Sequence, residues 1–271
     1  MSNHDLTARS GFDPGIPHPA RVYNFWLGGK DHYEADRKTA GDVIRCRPQV
    51  VAGALANRHF MARAVRYLAR ERGIQQYLDI GTGLPAPDNP HEIAQGLIPQ
   101  ARIAYADNDP LVLAHARALL TSAPEGSCDY IDADLHDTTT IAREAARTLD
   151  FSQPAALLLL AVLHFIPDTD DPARIVATLA GALAPGSLVV ISHLTADFAP
   201  EAVTAGVDAY NTLVPASIVP RSHAQVTDLF GGLPLVPPGV VPITEWRPAI
   251  RDPFLQPADL HAGMATTGQR R

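Results

Sequence analysis

The chain has 271 residues, which suits one large domain or one domain with a sub-domain, and 46% of them are hydrophobic, enough for a substantial core. A formal net charge of −7 argues against a general nucleic-acid binder. The longest apolar run, 155–163, is too short to span a bilayer, and the first ten residues lack the apolar stretch of a secretion signal. Cys46 and Cys128 have no C-x-x-C spacing, so no metal site is expected, and their use fits a reducing, cytoplasmic setting.

The pattern predicts a loose N-terminal arm over 1–20, then a short helix over Ala20–Leu27 closed by Gly28-Gly29. A second helix is expected over Asp31–Arg45. A third, Gln49–Arg70, carries Val51, Leu55, Val65 and Leu68 at helical spacing and ends at Gly73. Its arginines, Arg58, Arg63, Arg66, Arg70 and Arg72, read as a solvated face. Then the rhythm alternates. Strands are expected at Tyr77–Ile80, Arg102–Ala106, Cys128–Ile131, Ala155–Leu160 and Ser187–Ser192. The intervening helices are Pro90–Leu97, Leu111–Leu120, Thr138–Leu149 and Pro172–Leu183. Such alternation predicts an open, mostly parallel sheet with helices on both faces and a ligand site at the strands' carboxyl ends. Two further helices follow, Glu201–Leu213 and Ser222–Phe230, with 235–243 and 258–266 as a closing antiparallel pair. The division expected is a helical cap over 1–72 and a core over 73–271, with a helical insertion at about 199–230.

The most informative stretch is Asp79-Ile80-Gly81-Thr82-Gly83, a buried strand running into a glycine turn. A dinucleotide loop faces a pyrophosphate, which the Asp79 carboxylate would repel. A ligand bearing an ammonium or sulfonium would be attracted by roughly 4 kcal/mol at about 4 Å and an effective dielectric near 20, before desolvation. The sign of Asp79 therefore favours S-adenosylmethionine over a dinucleotide. Asp107 and Asp134 follow at spacings of 28 and 27 residues, one β–α unit each. Any one of them reads as a cap or turn aspartate; three in register with a glycine turn read as a nucleoside site. An acid ending the second strand can hold ribose hydroxyls, and one after the third can accept from an adenine amino group. Gly28-Gly29-Lys30 is no phosphate loop, because Asp31 replaces the required Ser or Thr.

DIGTGLP, YADNDP, DADL, LLLLAVLHFIPD and LAPGSLVVISH together resemble the successive motifs of class I S-adenosylmethionine-dependent methyltransferases, over about Gln75 to His193. The N-terminal IPHPARVYNFWLGGKDHYEADR, the LPAPDNPHEIAQ after the glycines and Glu245-Trp246-Arg247-Pro248 resemble a narrower group, an actinobacterial methyltransferase-like family once catalogued as a domain of unknown function. The resemblance implies a Rossmann-like sheet with an antiparallel last strand, S-adenosylmethionine as cofactor and a small-molecule acceptor, with neither nucleic acid nor membrane as partner. It sets Asp79, Gly81, Thr82 and Gly83 under the cofactor's methionine part, Asp107 and Asn108 at the ribose and adenine, and Asp134 and Leu135 at the adenine edge. Ala161, Leu163 and His164 come beside the sulfonium. The N-terminal segment reads either as a helix cap or as a lid, with Tyr23 and Gly28 in the site and Tyr23 and Arg58 reaching the methionine carboxylate. The last strand departs from the family pattern: His261–Thr267 stands where an aromatic strand ending in Arg-Lys is expected, leaving its register open. His164, Tyr23, Tyr210 and His193 are candidate bases, and none is assigned. The alternatives are a non-catalytic S-adenosylmethionine-binding or regulatory protein and an NAD-dependent oxidoreductase, since Gly81-x-Gly83-x-x-Ala86 formally fits the dinucleotide pattern.

Overall fold

The strand β1 (Gln76–Ile80) is buried along its whole length, because parallel neighbours flank it and helices cover both faces. The computed structural model describes residues 13–119, 121–248 and 258–268. The rest of the sheet comprises β2 (Arg102–Asp107), β3 (Ser127–Asp132), β4 (Ala156–Leu160), β5 (Leu188–Leu194), β6 (Val241–Pro242) and β7 (Leu260–Thr266), in the order β3-β2-β1-β4-β5-β7-β6. The first five strands are parallel; β7 is antiparallel to β5, and β6 to β7. This is the expected Rossmann-like arrangement. The chain order reverses between β1 and β4, where a crevice opens at the strands' carboxyl ends.

The helices are α1 (Pro19–Trp26), α2 (Glu34–Cys46), α3 (Val50–Arg72), α4 (Pro90–Leu97), α5 (Pro110–Leu119), α6 (Thr138–Ala145), α7 (Pro172–Ala182), α8 (Pro200–Leu213) and α9 (His223–Asp228). Residues 1–12 of the expected arm and Leu120 lie outside the described residues. The second helix starts at Glu34 rather than Asp31 because the Asp36 carboxylate accepts from the backbone N–H of Tyr33, 2.7 Å away, and fixes the entry. The sixth ends at Ala145, and turns carry the chain on to Leu149.

Three apolar clusters hold the layers. One face of the sheet packs on α6, α7 and α9 through Ile141, Val176, Leu179 and Leu229. The opposite face packs on α3 and α4 through Phe60, Val65, Leu68 and Ile93, with Trp246 buried beside Phe60. The third lies above the strand ends, where α1, α2 and α8 meet through Val22, Val43, Val203 and Tyr210. Arg63, expected among the solvated arginines, instead donates from Nε to the Trp246 carbonyl (2.9 Å) and from Nη2 to that of Ile243 (2.7 Å). Arg66, Arg70 and Arg72 are exposed.

The open register of the last strand resolves as Val190 opposite Met264 and His193 opposite His261. The expected pairing of 235–243 with this strand is present but brief, one bridge at Leu235–Ala265 plus the two residues of β6. Asp259, just before β7, is buried against Arg47, whose Nε donates to Oδ2 at 2.9 Å and whose Nη2 donates to the same oxygen. Breaking a buried pair strands a charge, whereas removing both partners is far less costly. Arg47→Met should therefore destabilise the fold by about 3–5 kcal/mol in urea unfolding. The double variant Arg47→Met/Asp259→Leu should recover most of that loss.

Candidate active site

The turn after β1 is sewn to β2. Gly81, at φ +74°, donates its N–H to the Ala106 carbonyl at 2.9 Å, and Thr82 Oγ1 donates to the Asp79 carbonyl at 3.2 Å. A Cβ on Gly81 would stand 2.5 Å from Val162 Cγ2, so both conformation and space demand glycine. Gly83, at φ +69°, has nothing within 4 Å of where a Cβ would stand. It borders a cavity of about 560 Å³ at the carboxyl edge of the sheet.

Asp79 lines this cavity and is only 6% exposed. No described residue donates a hydrogen bond to its carboxylate. Burial pushes its pKa up to about 7, against the attraction of Arg58 and with added repulsion from Asp107. Asp107 is also pushed up by burial, opposed by N–H groups of Asp109 and Gly83 at 3.0 and 2.8 Å. Those bonds tie Asp107 to the turn leading into α5 and to the glycine turn after β1. Each of its oxygens nevertheless keeps an acceptor site. Asp134 accepts from Asn108 Nδ2 (2.7 Å) and from the backbone N–H of His136 (2.9 Å). The His136 ring bridges Asp134 and Asp170, at 2.5 and 3.1 Å. Burial raises the Asp134 pKa, but these bonds outweigh it and the net shift is downward.

Beyond β4, Ala161 adopts φ +54°, its N–H shared between the carbonyl and Oγ of Ser192, both at 3.0 Å. The Ser192 hydroxyl donates to Asn57 Oδ1 (2.6 Å), Asn57 Nδ2 donates to Tyr23 Oη (3.1 Å), and that hydroxyl donates to the Ala54 carbonyl (3.0 Å). A continuous hydrogen-bond line thus joins the β4 turn to α1. The following loop is gripped by the buried Arg221, which donates to the Leu163 and Ile166 carbonyls, to Asp168 and to His193 Nε2. His193 donates from Nδ1 to the Leu194 carbonyl, and burial, helped by Arg221, takes its pKa down to about 3. Both ring nitrogens are engaged, by Arg221 and by the Leu194 carbonyl, which leaves neither free to act as a base. His164 is likewise held neutral, by burial and by the nearby His193 and Arg221. Neither of its ring nitrogens has a hydrogen-bond partner among the described residues.

Of the residues expected from the sequence, Tyr23, Arg58, Asp79, Gly81, Thr82, Gly83, Asp107, Asn108, Asp134, Leu135, Ala161 and His164 line the cavity. Gly28 and Leu163 do not. Gly28 is exposed, at φ +76°, and donates to the Phe25 carbonyl as the cap of α1. Leu163 is fully buried in the core beneath the loop. Tyr23 forms cavity wall, but its proton is committed to Ala54 and not available for a ligand carboxylate. Arg58 donates from Nη2 to the Pro87 and Asp88 carbonyls, leaving Nε and Nη1. Sequence reasoning missed Asn57, Arg221 and His136. Only His136, two places after Asp134, had a local signal. Among the described residues no group of three His, Cys, Asp or Glu side chains is placed to hold a metal, and no helix is long and apolar enough to cross a membrane.

A nucleoside bearing a cation fits these residues: an unpaired buried carboxylate, a second acid with spare acceptor sites and an open glycine turn. Residues 5–268 match the S-adenosyl methyltransferase family. The chain belongs to that family. It is an S-adenosylmethionine-dependent methyltransferase. A protein of the family of unknown function 574 from Streptomyces avermitilis is 40% identical over 94% of this chain and 99% of its own, with a TM-score of 0.91. A candidate methyltransferase from Thermobifida fusca is 38% identical over 95% and 97%, with a TM-score of 0.87. Human N-acetylserotonin methyltransferase, solved with S-adenosylmethionine, is 13% identical over 97% of this chain and 69% of its own at a TM-score of 0.50, a likeness of fold alone. No curated protein matches the sequence.

Two consequences are measurable. Gly81→Ala should cost about 1–3 kcal/mol, the scale of a strained left-handed backbone, and adding Val162→Ala should recover only the steric part. Asp79 has a folded pKa raised above its unfolded value near 3.8, so the native state favours its neutral form. Its contribution falls as pH rises from about 4 to about 7 and stays unfavourable above. Asp79→Asn should therefore stabilise the fold at pH 8, by about 1–4 kcal/mol, and change little at pH 4. Equal stability of the two proteins at pH 8 would remove the buried-charge account.

Proposed function

We propose that this methyltransferase acts on a small-molecule acceptor within the cavity, as a cytoplasmic enzyme of actinobacterial type. Asp79 carries the cofactor end of the reading, as a buried carboxylate with no hydrogen-bond donor among the described residues, at the rim of a glycine turn. The cofactor supplies a methyl carbon already activated by a sulfonium. Asp79 stabilises positive charge beside it, and Asp107 receives the ribose hydroxyls on its spare acceptor sites. Asn108, Asp134 and Leu135 frame the adenine, while Gly81, Thr82 and Gly83 let the backbone approach. Arg58 offers Nε and Nη1 to the amino-acid carboxylate. Tyr23 closes the wall, and Ala161 and His164 border the point of transfer. Gly28 and Leu163 act through the fold. In-line displacement at an activated carbon gains chiefly from alignment and exclusion of water, and no base is assigned. Net charge supports the absence of a nucleic-acid partner; the Streptomyces and Thermobifida relatives support the actinobacterial setting. The reading keeps 1–72 as a cap and 73–271 as the core, with the insertion at about 199–230.

Calorimetry should find S-adenosylmethionine and its demethylated product bound at micromolar levels and NAD negligibly; NAD binding as tight would overturn the reading. Because a cationic ligand selects ionised Asp79, affinity for S-adenosylmethionine should fall about tenfold from pH 8 to pH 6, with the bend near pH 7. Asp79→Asn should bind weakly and lose that bend.

A further inference from the structure

The cavity has two chemically distinct ends. One lies over β1, β2 and β3 and carries Asp79, Asp107 and Asp134. The other lies beyond β4, over Leu194 and Leu260, and is walled by α2, α8 and 215–218. Its surface is apolar, with Val43, Val50, Phe165, Val207 and Ile218. The charged residue on that wall, Arg47, is neutralised by Asp259. Among the described residues, two polar groups there lack hydrogen-bond partners. Tyr210 is 2% exposed, and its hydroxyl has no hydrogen bond. His164 is 8% exposed, and its buried Nδ1 has none either. The two rings flank Phe165, at centroid distances of 6.3 Å for Tyr210 and 4.4 Å for His164.

An unsatisfied buried hydroxyl is costly, and native structures retain few. In an apolar compartment it marks where a ligand's polar atom completes the pairing. Among the described residues no unpaired charge lines this end, so desolvating a charged ligand there would go largely uncompensated. From the Tyr210 hydroxyl, the His164 nitrogen and the apolar wall between α2 and α8, we infer that this compartment is the acceptor site. Its ligand is an uncharged, largely aromatic or aliphatic molecule bearing a hydroxyl, and Tyr210 is the residue that selects it. A hydroxyl suits these groups because it can accept from Tyr210 and can donate to a ring nitrogen, whereas a hydrocarbon leaves both unpaired. Burial holds the Tyr210 phenol well above its ordinary pKa, so it stays a neutral donor. The inference rests on the proposed cofactor end, which the experiment tests separately.

Calorimetry on the full chain saturated with S-adenosylhomocysteine tests it, with naphthalene, 2-naphthoate and 2-naphthol as probes. The expected result is binding of 2-naphthol at least fivefold tighter than either other probe, the ratio of one hydrogen bond. Tyr210→Phe removes an unpaired hydroxyl and should fold at least as stably. It should bring 2-naphthol down to the affinity of naphthalene. Val207→Trp should fill the compartment and abolish 2-naphthol binding while S-adenosylhomocysteine still binds. Equal affinity for naphthalene and 2-naphthol, preference for the carboxylate, an unaltered Tyr210→Phe variant, or no binding of any probe would each overturn the assignment. If S-adenosylhomocysteine itself failed to bind, the cofactor reading would be what fails.

Discussion

Two carboxylates with little access to water govern this molecule's cavity. Asp79 and Asp107 sit at adjacent strand ends, where burial and mutual repulsion both disfavour their charge. Proteins relieve such a conflict with a fixed cation, a proton or a ligand. Here Asp107 is partly relieved by backbone N–H groups, while Asp79, among the described residues, has the field of Arg58 and no hydrogen bond. The remaining relief is left to whatever enters. That ties the fold's electrostatic compromise directly to the reaction, since the family's cofactor brings positive charge.

The covering layer follows the same economy of fixed contacts. His18 and Arg21 of the N-terminal segment lie 3.0 and 3.6 Å from Asp109, and Arg21 lies 3.6 Å from Asp36. Tyr23 is joined through Asn57 and Ser192 to the β4 turn. The segment is therefore wired into the core by buried polar contacts. These orient α1 and α2 over the strand ends, and α8 packs against them from the far side of the chain.

The sheet was legible because parallel β–α units repeat at nearly constant length, so acids at matching places fall on one edge. The same logic brought Asp79, Asp107 and Asp134 to one cavity. Glycines were ambiguous for a physical reason. Positive φ serves a turn bordering the cavity at Gly83 and a helix end at Gly28, and sequence does not distinguish open space from a cap. Leu163 turned inward because a 3-10 turn follows β4, a reversal no periodicity announces. Strand β7 hid its register because it is buried on both faces, without the alternation that fixes one. Asn57 and Arg221 were illegible at the cavity, and Tyr210 was legible only as a candidate base. Their partners, or the want of them, depend on packing between distant segments, as in the Asn57–Ser192 contact across 135 positions.

That long reach has a consequence during biosynthesis. Arg47 leaves the ribosome early, yet its carboxylate partner is 212 positions downstream. At about 5–20 residues per second, the wait is roughly 10–40 s. Throughout it the guanidinium has no counter-ion, and for most of it the apolar side of α2 has no α8 to cover it. The nascent chain thus passes through an extended interval in which its first helices are sticky and unfinished.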